Sequence, residues 1–385
     1  MTAKISFFPV DNGDMTLIEL DSGRTVLIDV HIRQAADDPD DDTPDVAKDL
    51  RKRLKRDDAG RLYVDAFLLS HPDEDHCLGL RRHFHLGPPA EWSRNSDKIF
   101  IRELWSSPMV FRRASKTHVL VEDAKAFNAE ARRRVKRFRA TGGAVSNGDR
   151  ILILGEDEAG KTDDLTAILV PVDEVFSRVN GEYDSSMQAR LLAPLPRSED
   201  AAEEALLTKN QSSTILRFSL DGEMRSDVCR FLTGGDAEVA IWERLWARHN
   251  ERTDWLSYDI LLSPHHCSWH SLSYDSWGAR DPKVCQDAKS ALSRTRYGAV
   301  IIASSKPIKD DGDDPPCFGA KREYEAIAKA AKGSFKCVGE HPTSTTPEVM
   351  EFEITRDGPR LRSASMTAPA IMGGGAVGRQ PLPHG

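Results

Sequence analysis

Strand-like and helix-like segments alternate along this chain, with antiparallel hairpin signals among them, and together they predict a mixed α/β fold. Three observations carry the prediction. Short, nearly continuous apolar runs such as VDAFLLS (64–70) and YGAVIIASS (297–305) suit strands buried on both faces. Paired runs about polar turns, TLIEL and TVLIDV around Asp21-Ser22-Gly23, read as hairpins. Charged segments with helical spacing, notably 119–140 and 322–333, separate the strands, and glycines at Gly142, Gly143 and Gly333 stop them.

Taken in order, ISFFPV (5–10) is a first strand, ending in the turn Asp11-Asn12-Gly13-Asp14. Residues 35–45 form an acidic, proline-bearing solvated loop, and 46–56 a helix with a basic face. After the 64–70 strand comes a polar loop, then a helical LGLRRHF (78–84). ILILG (151–155) and LTAILVPV (165–172) are further strands, and the polar 177–209 stretch is an inserted loop with a short helix. SSTILRFSL and VCRFLTGGD pair as a hairpin ending at Asp236. A helix at 237–250, the strand of DILLSPHHCSWH and a last strand, EVMEFEIT, complete the pattern. One domain over 1–365 is expected, with insertions near 35–60 and 177–209 and a disordered Gly/Pro/Ala tail at 366–385.

Composition narrows the class. The 385 residues are 39% hydrophobic and 30% charged, which is globular rather than disordered. With 53 Lys and Arg against 61 Asp and Glu the net charge is −8, the wrong sign for a protein that coats nucleic acid. Six scattered cysteines without a C-x-x-C pair indicate reduced thiols and a cytoplasmic location. No signal peptide is apparent, and no apolar run approaches the roughly 20 residues that span a bilayer, so direct membrane insertion is not expected.

The chemistry concentrates in His71-Pro72-Asp73-Glu74-Asp75-His76, directly after a buried strand. A rigid strand end followed by an irregular loop can aim successive side chains at one centre. Imidazole suits zinc and similar ions, and carboxylates favour harder ones. Two further strand ends deliver metal-type residues: Asp236 behind Gly234-Gly235, which permit close backbone approach, and the His265-His266 pair. His31, His83 and His85 read as surface residues, and Cys77 and Cys267 as small buried side chains. The basic run 131–139 is a solvated helix face or, alternatively, a phosphate-contacting surface. Trp269 either packs in the core or lines a substrate cleft.

The HPDEDH segment resembles the metallo-β-lactamase superfamily motif H-x-[HD]-x-D-H. It is closer to the branch of the ComEC-type competence-protein hydrolase domain, where the second His is Asp. Leu27-Ile28-Asp29, Asn210-Gln211-Ser212-Ser213, Gly234-Gly235-Asp236 and His265-His266-Cys267-Ser268 resemble that branch's other motifs in order. Two departures stand out: Cys267 replaces the usual Gly, and Val30-His31 follows Asp29 where a loop glycine is usual.

The resemblance implies a four-layer αββα sandwich and two divalent metal ions, zinc or manganese. It places His71 and Asp73 on one metal, Asp75 and His76 on the other, Asp236 between them, and His265 completing the second site. His266 would stand behind the ligands or donate a proton, with the order within the pair open; His270 and Lys306 are alternative donors. Asp29 and Asp14 either back the site or simply close their turns. The implied activity is phosphodiester hydrolysis by a metal-bridged hydroxide, on nucleic acid or another diester. Two readings compete with it: hydrolysis of a small ester, thioester or lactone, and a partner-regulated effector subunit of a defence- or competence-related complex that docks through 177–209 and 119–140.

Overall fold

The computed structural model describes residues 2–362 apart from 39, 118 and 208, so the expected 366–385 tail lies outside the described residues. Two large sheets face each other. The first has eleven strands, and its main path runs Gly358–Leu361, Met350–Thr355, Ala3–Phe7, Thr16–Glu19, Thr25–Ile28, Leu62–Leu68, Ile99–Ser106, Arg150–Leu154 and Leu169–Val170. The second has seven: Val175–Phe176, Met187–Ala193, Ile215–Gly222, Arg225–Leu232, Tyr258–Leu262, Thr295–Ala303 and Ser334–Cys337.

Each sheet is antiparallel in one half and parallel in the other. The switch comes at Thr25–Ile28, which pairs parallel with Leu62–Leu68, and at Arg225–Leu232, which pairs parallel with Tyr258–Leu262. Parallel strands need crossovers, and crossovers bring helices. In a parallel array all carboxyl ends lie on one side, where loops can converge on a ligand.

Three apolar clusters hold these parts together. One lies between the sheets, where Phe7 of the first meets Phe231 of the second edge to face at 5.7 Å. Another packs the outer face of the second sheet against helices Val239–His249, Gln286–Leu292 and Phe318–Ala330. The third packs the first sheet against helices Val46–Arg53 and Glu122–Ala140. Leu62–Leu68 is buried along nearly its whole length, as its continuous apolar run predicts.

The structure corrects three sequence readings. Residues 177–209 are not simply a loop, because Met187–Ala193 is a strand of the second sheet, burying Met187, Ala189 and Leu191 in the inter-sheet core. His31 and His85 are buried, each 9% exposed, rather than on the surface. The 131–139 run is only partly solvated: Arg134 is buried, donating to Glu130 at 2.6 Å and to the Ile101 carbonyl at 3.0 Å. Cys77 and Cys267 are buried, and Trp269 packs on Trp277 at 5.0 Å. No helix among the described residues is long and apolar enough to cross a membrane.

Candidate metal centre

Four segments meet at the carboxyl ends of the parallel strands. After Leu62–Leu68 the chain passes Ser70 and His71 and winds into the one-turn helix Glu74–Cys77. Asp29 follows Thr25–Ile28 and donates its N–H to the Leu68 carbonyl at 2.9 Å, locking the two strand ends together. From the second sheet come Asp236 and the His265-His266 pair. Their approach requires glycine: a Cβ on Gly234 would sit 2.7 Å from Pro264 Cγ, and one on Gly235 2.8 Å from Ser213 Cβ.

Backbone strain concentrates here. His265, His266 and Cys267 all adopt left-handed conformations, with φ of 53°, 52° and 71°. Each costs roughly 1–2 kcal/mol for a residue with a Cβ. The winding is held by His265 N–H donating to the Gly235 carbonyl at 2.9 Å and Cys267 N–H to the Pro264 carbonyl at 3.2 Å. It carries the two imidazoles to different sides of Asp236. Cys267, standing where the resembled motif has Gly, takes the conformation glycine favours.

Asp236 is 2% exposed, and its two oxygens face different partners. Oδ1 lies 3.0 Å from His76 Nε2 and 3.6 Å from His266 Nε2. Oδ2 lies 3.4 Å from His71 Nε2 and 3.6 Å from His265 Nε2. Asp14, His76, Asp236 and His266 form one buried group with donor atoms within 4.8 Å of one another; His71, Asp73 and Asp236 form a second, and His71, Asp75 and His76 a third. Asp75 Oδ2 approaches His266 Nε2 at 3.2 Å, and Asp73 Oδ2 lies 3.6 Å from His71 Nε2.

The rings are oriented from behind. His76 Nδ1 donates to Asp29 Oδ2 at 2.8 Å, and His266 Nδ1 donates to the Ser304 carbonyl at 3.1 Å. His71 Nδ1 sits 3.2 Å from Ser70 Oγ. In each case Nε2 is left facing Asp236, an anchoring pattern shared by histidines that hold metals.

Charge follows from this crowding. Burial opposes protonation of the imidazoles, but the carboxylates overcome it: Asp236 helps push His71 up to about 9, while Asp236, Asp14 and Asp75 push His266 up to about 10. His76 is raised well above its ordinary value by Asp236, Asp29 and Asp75 against the same burial. Burial would raise the carboxyls, yet the surrounding histidines hold Asp75 and Asp236 far below the ordinary range, and His71 and Lys209 hold Asp73 near 2. The site therefore attracts positive charge strongly. His71 Nε2, Asp236 Oδ1 and Asp14 Oδ1 are also buried and meet only the cluster's own imidazoles and carboxylates, in geometry that forms no hydrogen bond. Converging imidazole nitrogens and carboxylates whose hydrogen bonds are left unmade fit divalent cations.

The structure brings His71, Asp73, Asp75, His76, Asp236, His265 and His266 together. It differs from the expected assignment within the histidine pair. His266, 1% exposed, joins the group containing His76, while His265 lies on the His71 side of Asp236. Lys306 is not in the cluster: its Nζ turns outward to Asp313 at 2.6 Å. His270 is likewise partly exposed, 3.9 Å from Asp314.

Two participants were under-read in the sequence. Asp14, which the sequence allows either to back the site or to close its turn, belongs to the buried four-residue group. Its N–H donates to the Asp75 carbonyl at 3.1 Å, and Ser304 Oγ donates to the Gly13 carbonyl at 2.6 Å, so this turn is stitched to both sheets. Lys209, not singled out, contacts Asp73 Oδ2 at 2.5 Å. A cleft of about 330 Å³ adjoins them, lined by Asp73, Glu74, Asp75, Val121 and Lys209 among others.

No described protein family matches this chain, and no curated protein does either. Among solved structures, it is similar to the metallo hydrolase Igni18 from the hyperthermophilic archaeon Ignicoccus hospitalis. The match covers 92% of this chain and 99% of that one, at 12% identity and a TM-score of 0.33.

Proposed function

We propose that this chain is a binuclear metal-dependent hydrolase with the four-layer αββα architecture of the metallo-β-lactamase superfamily, acting on phosphodiester bonds. The observation that carries the reading is the division at Asp236. One oxygen faces His76 and His266, the other His71 and His265, as a carboxylate shared by two cations would. His71, Asp73 and His265 would hold one ion; Asp14, Asp75, His76 and His266 would hold the other. The mixed nitrogen and oxygen donors suit zinc or manganese.

Such ions supply Lewis acidity, lowering the pKa of water and polarising the scissile oxygen. The protein's own residues do the rest. Asp29 and the Ser304 carbonyl fix the rings of His76 and His266 with Nε2 inward. Asp75, the most open carboxylate of the set with 35% of its side chain exposed, borders the cleft, and the surrounding histidines keep it ionised, as a cation ligand must be. Lys209, on the same cleft, pairs with Asp73 Oδ2 at 2.5 Å and would turn to a non-bridging phosphoryl oxygen once Asp73 holds a cation, which favours a phosphodiester over a neutral ester.

The test is a substrate panel with zinc- or manganese-loaded protein: bis(p-nitrophenyl) phosphate, single-stranded DNA and RNA, and chromogenic esters, thioesters and lactones. Phosphodiester cleavage is expected, falling to background in Asp75→Ala. Cleavage of neutral esters alone would replace the substrate class, and an inert panel with fully metallated protein would overturn the reading.

A further inference from the structure

A second cavity, of about 710 Å³, opens between helix Glu122–Ala140, the start of helix Pro108–Thr117, strand Arg150–Leu154 and the 157–165 loop. It shares no lining residue with the cleft beside the His/Asp cluster. Its volume is in the range of sites that bury a small organic ligand, about 300–1,000 Å³.

The floor is apolar, formed by Phe111, Ile151, Ile153 and Leu165, all buried. The wall is basic: Arg112, Arg132, Lys136, Arg139 and Lys161 line it against only Asp157 and Asp164, on a chain whose net charge is −8. Three of the five cations are engaged by acids: Arg112 by Asp157, Arg139 by Asp164 and Lys161 by Glu158.

Arg132 and Lys136 differ. They stand one turn apart on the helix, so their side chains neighbour each other, and neither has an acidic partner among the described residues. Their neighbours in the same basic run are already committed: Arg133 to Glu130 and Asp149, Arg134 to Glu130, and Arg137 to Asp149. Two adjacent like charges without counterions repel, and an anion bound between them relieves that repulsion. An apolar floor beneath them selects an anion with an apolar body.

We propose that this cavity binds an organic phosphate, with the phosphate on Arg132 and Lys136 and an aromatic or aliphatic body on Phe111, Ile151, Ile153 and Leu165. The site is separate from the metal centre and does not depend on the hydrolase reading.

Isothermal titration of the full chain, dialysed against chelator to silence the metal centre, tests it with three probes: AMP, octyl phosphate and inorganic phosphate. At least one organic phosphate binds saturably at one site, with inorganic phosphate weaker by about tenfold or more. Binding of AMP alone assigns an aromatic body, octyl phosphate alone an aliphatic one, and both a permissive floor. Arg132→Ala/Lys136→Ala, a change at two exposed positions, weakens binding by about a hundredfold through loss of two charge-assisted contacts. Arg137→Ala, on the same helix but outside the lining, leaves it within about threefold. Absence of binding by both organic probes, equal binding of inorganic phosphate, or wild-type affinity in the double variant each overturns the proposal.

Discussion

Asp29→Asn isolates the step by which the protein aims an imidazole. The Asp29 side chain is 1% exposed and accepts three hydrogen bonds, from Ser70 N–H at 2.6 Å, Ser70 Oγ at 2.6 Å and His76 Nδ1 at 2.8 Å. Its φ of 57° is one asparagine tolerates, so the substitution adds little backbone strain. The amide oxygen can keep the Ser70 N–H bond. The amide nitrogen, in place of Oδ2, can only donate toward His76. His76 must then carry its proton on Nε2, the atom 3.0 Å from Asp236, and it no longer presents a lone pair to the centre. Changes of this kind behind a ligand weaken metal binding about 10–100-fold, equivalent to roughly 1.4–2.8 kcal/mol. Competition for zinc with a chromogenic chelator reads that loss directly, and circular dichroism checks that the variant is folded. A folded Asp29→Asn protein that binds zinc as tightly as the wild type would refute the reasoning.

Other consequences follow from the same geometry. Gly234→Ala drives a Cβ to 2.7 Å from Pro264 Cγ, so urea unfolding should show a loss of about 1–3 kcal/mol, together with weaker metal binding. Metal uptake should be steeply pH-dependent. His71, with its pKa near 9, His266, near 10, and His76, raised well above its ordinary value, hold protons at neutral pH that metals must displace. Affinity therefore rises with pH, by about a thousandfold per unit well below 9 for three protons released, and a flat profile between pH 6 and 8 would contradict it.

Strand ends that deliver donors were legible because each joins a continuous apolar run to polar residues without a gap: residues 64–70 into HPDEDH, the FLTGGD end, and DILLSP into the histidine pair. The direction of each ring was not. It depends on three consecutive left-handed residues at 265–267, a conformation that side chains with a Cβ avoid and that propensity does not forecast. Asp14 was hidden for another reason. Its DNGD turn is an ordinary local signal, and only tertiary hydrogen bonds to Asp75 and from Ser304 bring it into the centre. The Met187–Ala193 strand did carry a period-two pattern, but Gln188 and Arg190 between the apolar residues made it look like part of a polar insertion.

Metal stoichiometry tests the central claim most directly. Inductively coupled plasma mass spectrometry of protein loaded with zinc or manganese and freed of excess should give two ions per chain, and close to none in Asp236→Ala, which removes the shared carboxylate. A folded wild-type protein that retains no metal, or an Asp236→Ala variant that keeps both ions, would contradict the account.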